Sequence, residues 1–410
     1  MFRTATIVLI LFGLLSALVL AGCKPPKSQD EVLFGNDTGR KIQTIDPQYP
    51  GDFKTVEKDG VEFLQARGEV GKYGGTFHEN QIGEGPRTFN PWASYDATST
   101  AMGGMLFAGL VQTDAYTGLP VPYMAEKVDI KPDNMTYVVT LRKGLEWSDG
   151  KPITSDDVVF TWNEIVKEGF GNPSTRDTLL IDGEFPRVRA LDKMTIEFKT
   201  PKPFAPFHAQ LAEVIAPAHV FQPILEEAAR GLTDPEKIRE AKDKAFAAYW
   251  GTSDATDNPE RFVSSNMWLL ESYTPGRRAT FTRNPKFFMI DKAGNRLPYL
   301  DRYIINFVSD MNNEILAFMQ GGSDSYSIRG QYLTFVRQLP KPQFDIYNLG
   351  PASGTTIISP RRRPTTRARP IRLRRLPATI SSGPTPTPTA CLSSYPTART
   401  TTAPSNFQRS

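Results

Sequence analysis

The chain has 410 residues, 39% of them hydrophobic and 22% charged, which are globular values with enough length for one large or two ordinary domains. Its formal charge of +4 hides unequal parts: residues 357–410 hold 10 Arg without one Lys, Asp or Glu, which leaves the body before them at −6. Two cysteines, Cys23 and Cys391, are too few for a disulfide framework and lack metal-ligand spacing, which argues against a zinc site or a thiol enzyme.

Residues 1–22 read as a targeting segment: Arg3 starts it, an apolar run fills residues 5–20, and Leu20-Ala21-Gly22-Cys23 closes it. The run is shorter than the ~20 residues of a membrane span. Residues 23–72 are polar and proline-punctuated and read as a tether, with a weak apolar patch at 61–64. Tyr73-Gly74-Gly75-Thr76-Phe77 opens the globular part, followed by an Asn90-Pro91 turn. Gly103-Gly104 follows no strand and is no phosphate loop.

Residues 135–163 form the most informative stretch. Tyr137, Val139 and Leu141 alternate as one buried strand face, Asp149-Gly150 turns the chain, and Thr154 or Ser155 caps a helix with Asp156 and Asp157 in its first turn. Val158, Trp162, Ile165 and Val166 make its apolar stripe. A hairpin is expected near Asp192-Lys193, with Ile196 and Phe198 inward. Residues 226–250 read as a solvated helical stretch broken at Asp234-Pro235. Pro275-Gly276 marks another hairpin, Tyr303, Ile305 and Phe307 a core strand, and residues 314–320 a helix stopped by Gly321-Gly322.

The wording of these segments is more specific than their periodicity. Leu141-Arg142-Lys143-Gly144, Trp147-Ser148-Asp149-Gly150-Lys151-Pro152-Ile153-Thr154 and Asp157-Val158-Val159-Phe160 together resemble the signature block of the family 5 solute-binding proteins, the extracytoplasmic receptors of ABC importers. Asn284-Pro285 and Leu297-Pro298-Tyr299-Leu300-Asp301 resemble further landmarks of that family, and Leu20-Ala21-Gly22-Cys23 resembles the bacterial lipobox. The resemblance implies an α/β, two-lobed, type II periplasmic-binding-protein fold. It also implies a Cys23 diacylated on sulfur in the cell envelope, a peptide or similar solute as ligand, permease and ATPase subunits as partners, and no cofactor. Nickel complexes or oligosaccharides are the other ligands known for the family. It assigns residues 73–326 to the first lobe with its added subdomain and 327–356 to the start of the second, most of which would be missing, impairing capture.

Residues 357–410 are rich in Arg, Pro, Thr and Ser and are expected to be disordered. Two explanations compete for them: a reading frame slipped after about Thr356, or a basic arm that binds polyanions on an envelope lipoprotein. The loss of Lys together with every acid favours the slip, and no nucleic-acid partner is expected. No catalytic constellation is found: His78, His208 and His219 are scattered, Asp156 and Asp157 do not face each other on a helix, and Trp92 and Trp147 read as core.

Overall fold

Strands with one buried face organise most of the chain, as Tyr137, Val139 and Leu141 illustrate. The structure, a computed structural model, describes residues 43–44, 51–114, 117–338, 344–348 and 356–360. Its first elements are β1 (Gln43–Thr44), β2 (Lys54–Lys58), β3 (Val61–Gln65), β4 (Thr76–Ile82), α1 (Ala97–Leu106), β5 (Val111–Thr113) and β6 (Pro120–Pro122). There follow β7 (Ala125–Ile130), β8 (Thr136–Leu141), α2 (Ser155–Phe160, prolonged by a π-helical turn, Thr161–Val166), β9 (Arg187–Ala190), β10 (Thr195–Lys199), α3 (Ala218–Ala229) and α4 (Pro235–Ala248). The remaining elements are β11 (Trp268–Thr274), β12 (Arg278–Arg283), β13 (Met289–Ile290), β14 (Arg302–Val308), α5 (Met311–Met319), β15 (Tyr326–Ser327), α6 (Gly330–Gln338), β16 (Phe344–Asn348) and β17 (Thr356–Pro360).

Two four-stranded sheets share the main core. One has the order β7-β8-β10-β9 and is antiparallel. The other has the order β11-β12-β14-β4 and is mixed, because β4 joins β14 in parallel over its whole length, Thr76 opposite Arg302 and Ile82 opposite Val308. Residues opposite one another share a face, so Phe77, Tyr303, Phe281, Ile305 and Phe307 lie on one side; the last four belong to the main core, and the buried Phe77 packs against Tyr303. A smaller hydrophobic cluster of Ile315, Phe318, Tyr326, Val336 and Phe344 stands apart and draws on both sides of the expected boundary at residue 326.

Three expectations need correction. The tether does not extend to residue 72: β2 and β3 form a hairpin, β3 pairs with β13, and Leu64 is buried in the main core. Residues 226–250 are not merely a solvated surface, because Phe246 and Trp250 are fully buried. They join Phe221 of α3, Trp92 and Phe107 in one aromatic cluster, with ring centroids 4.8 Å apart for Phe221–Trp250 and 5.2 Å for Phe107–Trp250. Such pairs contribute about 0.5–1.5 kcal/mol each beyond their burial. Disorder does not begin at residue 357, since β17 pairs antiparallel with β16 from Phe344 opposite Pro360 to Asn348 opposite Thr356. Residues 361–410 lie outside the described residues.

Candidate functional site

The signature block turns out to be a lock within the fold. Thr154 and Asp157 form a reciprocal capping box on α2, and the Asp157 carboxylate also accepts from the Ala218 amide at 3.0 Å, tying α2 to α3. Burial pushes the Asp157 carboxyl up, and the amides of Thr154 and Ala218 pull it back. Asp156 faces solvent and pairs with Lys193, so the two aspartates serve different surfaces and make no acid–base pair. His219 bonds Asp149 at 2.8 Å, and its ring packs edge-on to the buried Trp147 at 6.2 Å. Trp92 and Trp147 are both core residues, 2% and 0% exposed.

Arg142 explains another part of the signature. It is 1% exposed, donates from Nε to the Tyr123 carbonyl at 2.6 Å and from a terminal nitrogen to Thr55 Oγ1 at 2.8 Å, and burial draws its pKa down to about 10. Lys143 and Glu62 exchange backbone and side-chain bonds. Gly144, at φ +76°, lies so close to Val61 that a Cβ would come within 2.8 Å of its Cγ2. The Arg-Lys-Gly run therefore receives the β2–β3 hairpin.

What remains as a candidate site is a buried polar cluster where the β4–β14 sheet meets the later elements. Glu79 on β4 accepts a hydrogen bond from the Tyr303 hydroxyl on the neighbouring strand. Burial raises the Glu79 carboxyl above the usual carboxylate range, and burial together with that carboxylate holds the Tyr303 phenol well above its own. Glu314 on α5 is raised by burial and lowered by Arg329, with which it pairs at 3.3 Å. Tyr326 is 3% exposed, and its hydroxyl has no partner among the described residues. The carboxyl ends of β4 and β14 lie side by side at Ile82 and Val308, and α1 and α5 start beyond them, the position at which open α/β sheets present their ligand sites. Sequence inspection missed this cluster. Its signal is Glu79 itself, an acid between Phe77 and Gln81 on the inward face of a strand.

Leu20, Ala21, Gly22 and Cys23 lie outside the described residues. His78, His208 and His219 are not brought together, and among the described residues no three His, Cys, Asp or Glu side chains are grouped to hold a metal. No helix among them is long and apolar enough to cross a membrane.

The sheet architecture and the lock defined by the signature block are those of an extracytoplasmic binding protein. A family model described as bacterial extracellular solute-binding proteins, family 5 middle, matches residues 120–375, and the chain belongs to that family. The match runs past Thr356, so the resemblance ends later than expected. Family 5 proteins are binding proteins, not enzymes. A probable ABC transporter-binding protein of Deinococcus radiodurans is 33% identical over 260 residues, covering 62% of this chain and 40% of that protein. A dipeptide-binding protein of Escherichia coli is 29% identical over 206 residues, covering 43% of this chain and 37% of that one. Among solved structures, the periplasmic binding protein MelB of Agrobacterium fabrum, in complex with stachyose, superposes with a TM-score of 0.57 at 20% identity over 70% of this chain and 43% of its own, which gives the type II periplasmic-binding-protein fold. The chain spans about two fifths of the length of these proteins.

Proposed function

We propose that this chain is part of a lipid-anchored receptor that captures a peptide or similar small solute outside the cytoplasmic membrane and delivers it to an ABC importer. The observation that carries the proposal is family membership over residues 120–375, to which the dipeptide-binding relative adds the solute class. The ligand-facing surface of the part described is the end of the sheet at Ile82 and Val308, beside the Glu79–Tyr303 pair. Residues 1–22 act as the leader and Cys23 as the anchored residue, with residues up to about 326 forming the first lobe and the following elements opening the second. Binding pockets generally enclose about 70–90% of a ligand, so tight capture needs both lobes of the fold to close on the solute. The Pro-, Thr- and Ser-rich residues beyond the end of the family match at 375 are best accounted for by a slipped frame.

Calorimetric titration of the chain, and of a version extended with a complete second lobe, against mixed dipeptides and tripeptides tests the proposal. Binding of peptides by the extended version, weak or lost in the 410-residue chain, is the expected result. Binding of an oligosaccharide in place of peptides would overturn the solute class.

A further inference from the structure

We propose that Arg87, Arg277 and Arg278, at the carboxyl end of the β4–β14 sheet, select a solute of net negative charge, which among peptides means an acidic one. This rests on the reading of the chain as a solute receptor given above. The three arginines are brought to one end because the chain doubles back over it. Beyond Ile82 the Gly83 amide donates to the Val308 carbonyl at 2.9 Å, and the Glu84 carbonyl accepts from the Gly276 amide at 3.1 Å. Gly276 lies in the turn of the β11–β12 hairpin, whose Tyr273 hydroxyl also donates to the Pro86 carbonyl. On the far side of that turn the Arg277 carbonyl accepts from the Phe307 amide at 2.9 Å, and Arg278 stands opposite Asn306. All three arginines are exposed.

What sets this end apart is the charge it leaves open. Where β12 ends and β14 begins, at the opposite end of the same sheet, Arg283 pairs with Asp301 at 3.0 Å and Arg302 with Glu271 at 2.7 Å, so the cations there are neutralised. At the carboxyl end the acids are committed instead. Asp96 caps α1 through Ser99, and Asp310 caps α5 through the amides of Asn312 and Asn313. The guanidinium groups of Arg87 and Arg277 have no partner among the described residues, and Arg278 donates only from Nε, to Asn306 at 2.9 Å. Glu84 is exposed beside them, and among the described residues no ion pair joins it to any of the three. Three cations thus face one acid, on a body whose net charge before residue 357 is −6. The bond from Nε orients the Arg278 fork and leaves its outer N–H groups for a carboxylate, which a guanidinium grips through two charge-assisted bonds. A potential of this sign favours anionic solutes and disfavours cationic ones. Exposed pairs are each worth a factor of a few, so the selectivity is graded.

Ligand-detected NMR, which reads weak affinities, tests this with tri-glutamate, tri-alanine and tri-lysine on the 410-residue chain and on the version extended with a complete second lobe. At about 20 mM salt tri-glutamate is expected to bind roughly five- to tenfold more tightly than tri-alanine, with tri-lysine weakest, and the differences should fade at about 500 mM. Arginines beyond residue 360 contribute equally to every variant, so the change on substitution isolates the sheet end. Arg87→Gln with Arg277→Gln should lower the ratio of tri-glutamate to tri-alanine affinity at least about threefold. Reversing both charges, Arg87→Glu with Arg277→Glu, should move the preference toward tri-lysine. A merely structural role would weaken all three peptides together. Equal binding of the three by the unsubstituted chains, or a preference that charge reversal leaves unchanged, overturns the proposal and leaves the receptor reading standing. Binding of none of the tripeptides by the extended version fails that reading, and the charge preference with it.

Discussion

The carboxylate of Asp157 accepts the amide of Ala218 at 3.0 Å although the two residues stand 61 apart in the chain. The same carboxylate closes the capping box at Thr154, so one side chain holds the start of α2 and the start of α3 together. Asp157→Ala leaves two part-buried amides, those of Thr154 and Ala218, without their acceptor, each costing about 1–3 kcal/mol if fully orphaned. We expect a loss of roughly 2–4 kcal/mol in denaturant unfolding. A loss within experimental error would show that water replaces the carboxylate.

Gly144 makes the second prediction. Its φ of +76° is unfavourable for any side chain, and a Cβ there would strike Val61. Gly144→Ala should destabilise the chain by about 1–3 kcal/mol, through strain and loss of hairpin docking. The accompanying sign is faster proteolysis within β2–β3. If the melt drops while the hairpin stays protected, strain alone is responsible.

Glu213 gives a pH dependence. Burial pushes its carboxyl from 4.5 up to about 7, with the Trp92 indole nitrogen facing it outside regular hydrogen-bond geometry and lowering it slightly. Between those two values the folded chain holds more protons than the unfolded one. This contribution to stability is therefore fully present below about pH 4.5 and is lost as pH rises to about 7. Glu213→Gln should remove that slope and leave the chain about 2 kcal/mol more stable above pH 7, after allowance for residual solvent screening. Thermal melts across the range measure it. An unchanged slope in the variant would assign the titration to another group.

How much of this was legible in the sequence depended on distance along the chain. The β8 alternation, the Asp149-Gly150 turn and the cap of α2 rest on neighbours and could be read directly. The β2–β3 hairpin looked like tether because its partners are remote: Arg142 meets Thr55 across 87 residues and Lys143 meets Glu62 across 81. Residues 226–250 looked solvated because their buried side chains, Phe246 and Trp250, are diluted by charges and only meet Phe221 once α3 and α4 pair. The Glu79 cluster was hidden for a third reason. Its members come from three strands, a helix and a connection, and no spacing rule links them.

The anchor is tested at Cys23. If residues 20–23 form a lipobox, Cys23→Ala should abolish incorporation of labelled palmitate and leave a longer, unprocessed precursor. An acyl-free mature amino terminus elsewhere in the unsubstituted protein would remove Cys23 from its role.

The apolar surface of α5 is only partly buried among the described residues. Ile315 and Phe318 are buried, yet Met319 next to Ile315 on the helix surface and Leu316 farther round the helix are 40% and 52% exposed, and Phe335 of α6 is 51% exposed. On a helix, positions 311, 315 and 319 fall on one stripe with 318 and 316 at its margins, so burial stops partway across a continuous apolar surface. Single exposed apolar residues need no explanation, but a group on adjacent elements favours association. We expect the 410-residue chain to bind a hydrophobic dye and to self-associate with rising concentration. Leu316→Lys with Phe335→Lys should roughly halve the dye signal and shift light scattering toward the monomer, with melting displaced by only a few degrees, since neither side chain is buried. Dye binding and scattering that ignore both substitutions would locate the sticky surface elsewhere.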